Sequence, residues 1–67
     1  MNETLEVVIK DLKGVSDNMD YIIEEIESAS LNEDGGKISD TIEYAIALID
    51  TSMYRLSCVR DKLRANF

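Results

Sequence analysis

The chain contains no histidine and a single cysteine, Cys58. These two scarcities exclude Cys/His metal centres and the Ser-His and Cys-His nucleophilic systems. Because one cysteine has no partner within the chain, no intramolecular disulfide can stabilise the fold. We therefore expect no enzymatic activity, no metal site and no cofactor, and a stability that comes from packing or assembly.

Long hydrophobic runs are also missing. No stretch approaches the roughly 20 apolar residues that a membrane-spanning helix needs. The first residues, Met1-Asn2-Glu3-Thr4, lack the basic start and apolar core of a secretion signal. The sequence therefore predicts a cytoplasmic protein with no membrane association.

Two runs of regularly spaced apolar residues are the most informative feature of the chain. They recur at alternating intervals of three and four residues, a period that only an α-helix turns into one continuous stripe. The first run is Leu5, Val8, Leu12, Val15, Met19, Ile22, Ile26 and Ala29, and the second is Ile38, Ile42, Ala45, Ile49, Ser52, Leu56, Val59 and Leu63. The spacing predicts one domain over residues 1–67, with helix 1 at about 2–30, a turn at about 31–37 and helix 2 at about 38–65.

The helix ends carry recognisable signals. Asn2 is a suitable cap for helix 1, and Glu3 and Glu6 suit the positive end of its dipole. The segment Asn32-Glu33-Asp34-Gly35-Gly36 predicts a left-handed helix stop followed by a short crossing. Asp40-Thr41-Ile42-Glu43 fits a capping box for helix 2, although Ile38 continues the apolar phase and allows an earlier start.

A hairpin of two such helices leaves much of both apolar stripes in water. Helix 2 is apolar over a wide arc, because Ile46, Leu48 and Met53 flank its stripe. The predicted fold is therefore an all-α, antiparallel two-helix hairpin that forms a homodimeric four-helix bundle. A higher oligomer and a complex with helices of another protein are the alternatives. The predicted dimer and core residues are Leu5, Val8, Leu12, Val15, Met19, Ile22, Ile26, Ile42, Ile46, Ile49, Met53, Leu56, Val59 and Leu63.

Charge is shared unevenly between the two helices. The net charge is −7, and residues 1–36 carry ten acidic and two basic side chains. The acidic face, which we define as Asp17, Asp20, Glu24 and Glu27, lies opposite the apolar stripe and predicts binding to a basic protein surface. The favoured function is a small acidic protein–protein interaction module, acting as a stoichiometric regulator, inhibitor or adaptor.

The carboxyl-terminal end is locally basic and supports an alternative. Nucleic acid or a nucleotide is a less favoured partner, contacted through Tyr54, Arg55, Arg60, Lys62 and Arg64. The same bases also complement the negative end of helix 2 without any ligand. A third alternative is a structural subunit that completes a larger helical complex.

The architecture resembles that of the Rop family of plasmid copy-number regulators, in which helical hairpins dimerise into a four-helix bundle that binds kissing RNA loops. The local similarity lies in residues 54–60. The family has a Tyr-Arg-Ser-Cys run there, and this chain has the similar run Tyr54-Arg55, Ser57-Cys58, with Leu56 inserted and Arg60 two residues further on. The resemblance implies a Rop-like RNA-binding regulator. However, helix 1, which carries the RNA face in that family, has only Lys10 and Lys13 among eight acids up to Glu27, a poor surface for a polyanion.

Two isolated residues have competing interpretations. Gly14 is either a tolerated surface glycine or the site of a kink or close approach. Cys58 is a small packing residue or, as the less favoured alternative, a redox-active thiol.

Overall fold

The computed structural model describes residues 2–31 and 35–67 of the chain. Two helices, α1 (Glu3–Ser30) and α2 (Gly35–Asn66), pack against each other as an antiparallel hairpin. The hairpin measures 49 × 18 × 10 Å, and its radius of gyration is 15.5 Å. A compact domain of this length has a radius of gyration of about 11 Å. The molecule is therefore a flat rod, one helix thick.

The predicted cap of helix 1 is confirmed. The Asn2 side-chain oxygen accepts hydrogen bonds from the backbone amides of Thr4 (2.8 Å) and Leu5 (3.3 Å). Glu3 and Glu6 lie in the first turn, where they complement the positive end of the helix dipole. The capping oxygen thus satisfies amides that have no partner within the helix.

Helix α2 begins earlier than the sequence signals indicate. Gly35 and Gly36 belong to its first turn, and no glycine in the described ranges has a positive φ. The left-handed stop at the double glycine and the capping box at Asp40 are therefore wrong, while residues 32–34 of the predicted turn lie outside the described part of the chain. Packing of Ile38 beside Ala29 favours the longer helix, because tertiary contacts override the weak propensities of single residues.

The contact between the helices follows one line, which we call the core line. Its members recur every seven residues and are small or medium in size. They are Val8, Val15, Ile22 and Ala29 of α1 and Ile38, Ala45, Ser52 and Val59 of α2; of these, Ala29 and Ile38 are half-buried and the others are buried. All eight residues of this line belong to the two predicted stripes, of which the line forms one edge, so the helical phase of both stripes is confirmed.

The level at which the helices meet follows from contacts along the hairpin. Ala29 and Ile38 line one groove near the turn, and the rings of Tyr21 and Tyr44 touch further along. Steps of seven residues away from the turn on each helix then place Ile22 opposite Ala45, Val15 opposite Ser52 and Val8 opposite Val59.

Candidate interaction surface

The hairpin has an apolar face on one side of the core line. Each of its members lies three residues before or four residues after a core-line position, and the antiparallel arrangement places both sets on the same side. We define the apolar face as Leu5, Leu12, Met19 and Ile26 of α1 with Ile42, Ile49, Leu56 and Leu63 of α2. Ile26 and Ile42 line a common groove near the turn, which confirms that the two sets share a side.

Much of this face is in contact with solvent. Leu12 is 41% exposed, Ile26 46% and Ile42 48%, whereas Val15, Ile22 and Ala45 on the adjacent core line are buried. Ile46 and Met53, which the sequence also placed in the dimer and core set, widen the exposed surface. Of that predicted set, the hairpin itself buries only Val8, Val15, Ile22 and Val59.

The opposite side, which we call the polar face, contains the specific contacts between the helices. Lys62 Nζ lies 3.3 Å from Asp11 Oδ2 at the open end of the hairpin. Tyr21 and Tyr44 meet edge to face, with ring centroids 6.0 Å apart. The Glu25 carboxylate, one turn further along α1, raises the pKa of Tyr21 above its ordinary value. These contacts occupy the polar face, so the apolar face is the side left for a further helix pair.

Gly14 lies under the side chain of Arg55. A Cβ atom at position 14 would be 3.2 Å from Arg55 Nη1, while the glycine backbone has no positive φ. The close approach considered from the sequence therefore exists, but it is made by a flexible side chain and not by another backbone. Helix α1 continues through this position without interruption.

Substituting Gly14→Ala is expected to stabilise the protein by about 0.5–1 kcal/mol. Alanine forms helix more readily than glycine by about 1 kcal/mol, and the Arg55 guanidinium can move by the small distance required. The melting temperature should rise by about 4 °C at matched protein concentration, because a small domain gains several degrees per kcal/mol. The double substitution Gly14→Ala, Arg55→Ala is the control for crowding. A lower melting temperature in the single variant would show that Arg55 is held rigidly.

The acidic face runs along the outside of α1 in the half of the hairpin that adjoins the turn. All four of its side chains, Asp17, Asp20, Glu24 and Glu27, are exposed. The described residues of the half next to the turn, 15–31 and 35–52, carry eight acidic and one basic side chain, a formal charge of −7. Residues 1–14 and 53–67, at the open end, carry four acidic and six basic side chains, a formal charge of +2. Charge is therefore graded along the rod.

The basic residues near the carboxyl terminus do not share one face. Lys62 pairs with Asp11 on the polar face, and Arg55 covers Gly14. Arg60 contacts Asp61 and Ser57 on its own helix. Tyr54 is 72% exposed, and Arg64 lies in the last turn. The structure therefore distributes the proposed RNA-contacting side chains around α2 and does not gather them at one site.

Two further polar or reactive side chains, those of Cys58 and Ser52, are partly or fully buried. Cys58 is a half-buried free thiol. Ser52 is 2% exposed, and its hydroxyl has no hydrogen-bond partner. No group of three potential metal ligands occurs within residues 2–31 and 35–67, and neither helix there is long and apolar enough to cross a membrane.

Comparison of the chain with protein-family models, with curated proteins and with solved structures gives no match.

Proposed function

We propose that the chain is a non-enzymatic interaction protein: two hairpins pair through their apolar faces into a four-helix bundle, and the acidic face of each binds a basic protein surface. Such a bundle acts as a stoichiometric regulator, inhibitor or adaptor. The observation that carries the proposal is the apolar face, which is too extensive for a hairpin that works alone. We place the protein in the cytoplasm, a location that suits a chain with no intramolecular disulfide.

Surface area supports the homodimer. The hairpin exposes 5164 Å², whereas a folded monomer of this mass exposes about 4,300 Å². The excess, about 900 Å², is close to the roughly 800 Å² that each partner buries in a stable protein interface. A second hairpin on the apolar face thus restores the burial expected of a folded protein.

The acidic face stays accessible in such a bundle. Asp17 and Glu24 point away from the apolar face, because they lie on the outer side of α1, and Asp20 and Glu27 lie at its border. An excess of carboxylates on an exposed helix accelerates encounter with a positively charged surface, and salt screens this attraction. The partner class that fits is a protein with a lysine- or arginine-rich patch.

Reversing charge on the acidic face tests this part of the proposal. An oligolysine peptide serves as the probe, with its dissociation constant measured by fluorescence anisotropy at several salt concentrations. We expect affinity to fall with added salt. The variant Asp17→Lys, Glu24→Lys changes two exposed side chains that point away from the apolar face, and it should bind the peptide at least tenfold more weakly, with an unchanged helical circular dichroism spectrum.

The matched control is Glu3→Lys, Glu6→Lys, which makes the same change of charge on the same helix at the open end. Its affinity should fall by less than threefold. Equal losses in both variants would contradict a specific acidic face and indicate a response to net charge alone. The nucleic-acid alternative gains no support from the geometry, since its basic side chains lie on different sides of α2.

A further inference from the structure

We infer that the second hairpin docks on the apolar face with its turn at the opposite end of the rod, so that α1 lies beside α1 and α2 beside α2 of the second copy. This inference rests on the proposed homodimer and adds the orientation of the two copies. It follows from the charges along the hairpin and around the apolar face.

Helix packing alone permits two orientations. A two-fold axis along the rod places both turns at the same end and sets each α1 beside α2 of the second copy. A two-fold axis across the rod places the turns at opposite ends. In both cases every neighbouring pair of helices is antiparallel and the same apolar faces meet. Electrostatics must therefore decide between them.

The charge gradient favours opposite ends. With the turns together, two halves whose described residues carry a formal charge of −7 would lie side by side, and the two halves of charge +2 would lie together at the other end. With the turns apart, each strongly acidic half lies beside a weakly basic half. Like charges within one interface oppose association, so the opposed orientation is lower in energy.

The charged residues that border the apolar face also favour turns at opposite ends. We define the rim as the residues that directly follow each apolar-face residue, namely Glu6, Lys13, Asp20 and Glu27 in α1 and Glu43, Asp50, Ser57 and Arg64 in α2. Rim residues flank the contact with a second hairpin, just as Asp11 and Lys62 flank the contact within one hairpin.

In the opposed orientation, antiparallel pairing of like helices brings Lys13 beside Asp20 of the second copy. It also brings Glu43 beside Arg64 of the second copy. One unfavourable rim pair remains, because Glu6 then approaches Glu27. Each of these pairs occurs twice by symmetry, so favourable pairs outnumber unfavourable ones by two to one.

With the turns at the same end, unfavourable rim pairs outnumber favourable ones. Asp20 would lie beside Asp50 of the second copy, and Glu27 beside Glu43. The pair of Glu6 with Arg64 is the favourable one on this rim. The two models therefore assign opposite neighbours to Glu43: a cation in the opposed orientation and a carboxylate in the other.

A distance measurement distinguishes the orientations directly. Leu31, which is 87% exposed and adjoins the turn, is replaced by cysteine in a Cys58→Ser background and labelled with a nitroxide. Double electron–electron resonance should give a separation close to the 49 Å length of the rod. A separation below about 20 Å, as expected for turns on adjacent helix pairs, would overturn the opposed orientation. Absence of any intermolecular distance, together with a monomeric sedimentation profile, would instead overturn the homodimer itself.

Charge reversal at Glu43 gives an independent test. Glu43→Lys should weaken the dimer about tenfold, because two rim attractions become repulsions of similar size. The control Asp40→Lys makes the same change on the outer side of α2 and should not weaken the dimer. Adding Arg64→Glu to Glu43→Lys should restore the dissociation constant, measured by sedimentation equilibrium at low salt. A tighter dimer in Glu43→Lys would overturn the inference in favour of turns at the same end.

Discussion

Replacing Ile49 with aspartate is expected to convert the dimer into monomers and to weaken self-association by at least a thousandfold. Ile49 lies near the middle of the apolar face and is 39% exposed in the hairpin. A carboxylate there would be buried against a second copy without a partner, at a cost of several kcal/mol. A loss of about 4 kcal/mol corresponds to a factor of about a thousand in the dissociation constant. Sedimentation equilibrium measures this change.

The matched control is Ala47→Asp, which adds the same charge two residues earlier on the exposed outer side of α2. It should leave the dimer intact. The unchanged protein should also melt at a temperature that rises with its concentration, because dissociation accompanies unfolding. A dimer that survives Ile49→Asp, or a melting temperature that does not vary with concentration, would contradict pairing through the apolar face.

Replacing Ser52 with alanine is expected to stabilise the protein by about 1–2 kcal/mol. Its hydroxyl is buried without a hydrogen-bond partner, whereas the neighbouring Thr51 hydroxyl donates to the carbonyl of Ala47 at 3.0 Å. An unsatisfied buried polar group costs about 1–3 kcal/mol, and alanine also has the higher helix propensity. Chemical denaturation at a fixed protein concentration gives the change in unfolding free energy.

Ser28→Ala provides the comparison, because Ser28 is exposed on α1. This control should gain about 0.5 kcal/mol from propensity alone. The difference between the two changes in unfolding free energy gives the cost of burying the Ser52 hydroxyl without a partner. Equal gains, or a loss of stability at position 52, would show that the Ser52 hydroxyl is satisfied in solution.

The helices were predictable because their signal is repeated many times. Sixteen positions at intervals of three and four residues set the phase of both helices, and the asparagine cap needs only local geometry. The start of α2 was predicted wrongly, since glycine preference acts locally while Ile38 gains from a contact with the other helix. A single-residue propensity of about 1 kcal/mol is easily overridden by such packing.

The division of the apolar residues between the hairpin and its outer face was less predictable. Periodicity places Val15 and Leu12 in one stripe, but it does not say which of them meets the other helix. That choice depends on how each helix is rotated within the pair. The contact of Arg55 with Gly14, and the scatter of the basic side chains around α2, likewise depend on side-chain positions that spacing does not encode.

The core line has a consequence for the register of the hairpin. Three of its four layers pair a larger side chain with a smaller one: Ile38 lies opposite Ala29, Ile22 opposite Ala45 and Val15 opposite Ser52. Sliding one helix by a heptad would set Ile22 against Ile38, or Ala29 against Ala45. The first slip overfills a layer and the second leaves a void, and both are destabilising. A sequence whose seven-residue repeat would tolerate several alignments is thereby restricted to one by the alternation of side-chain volume.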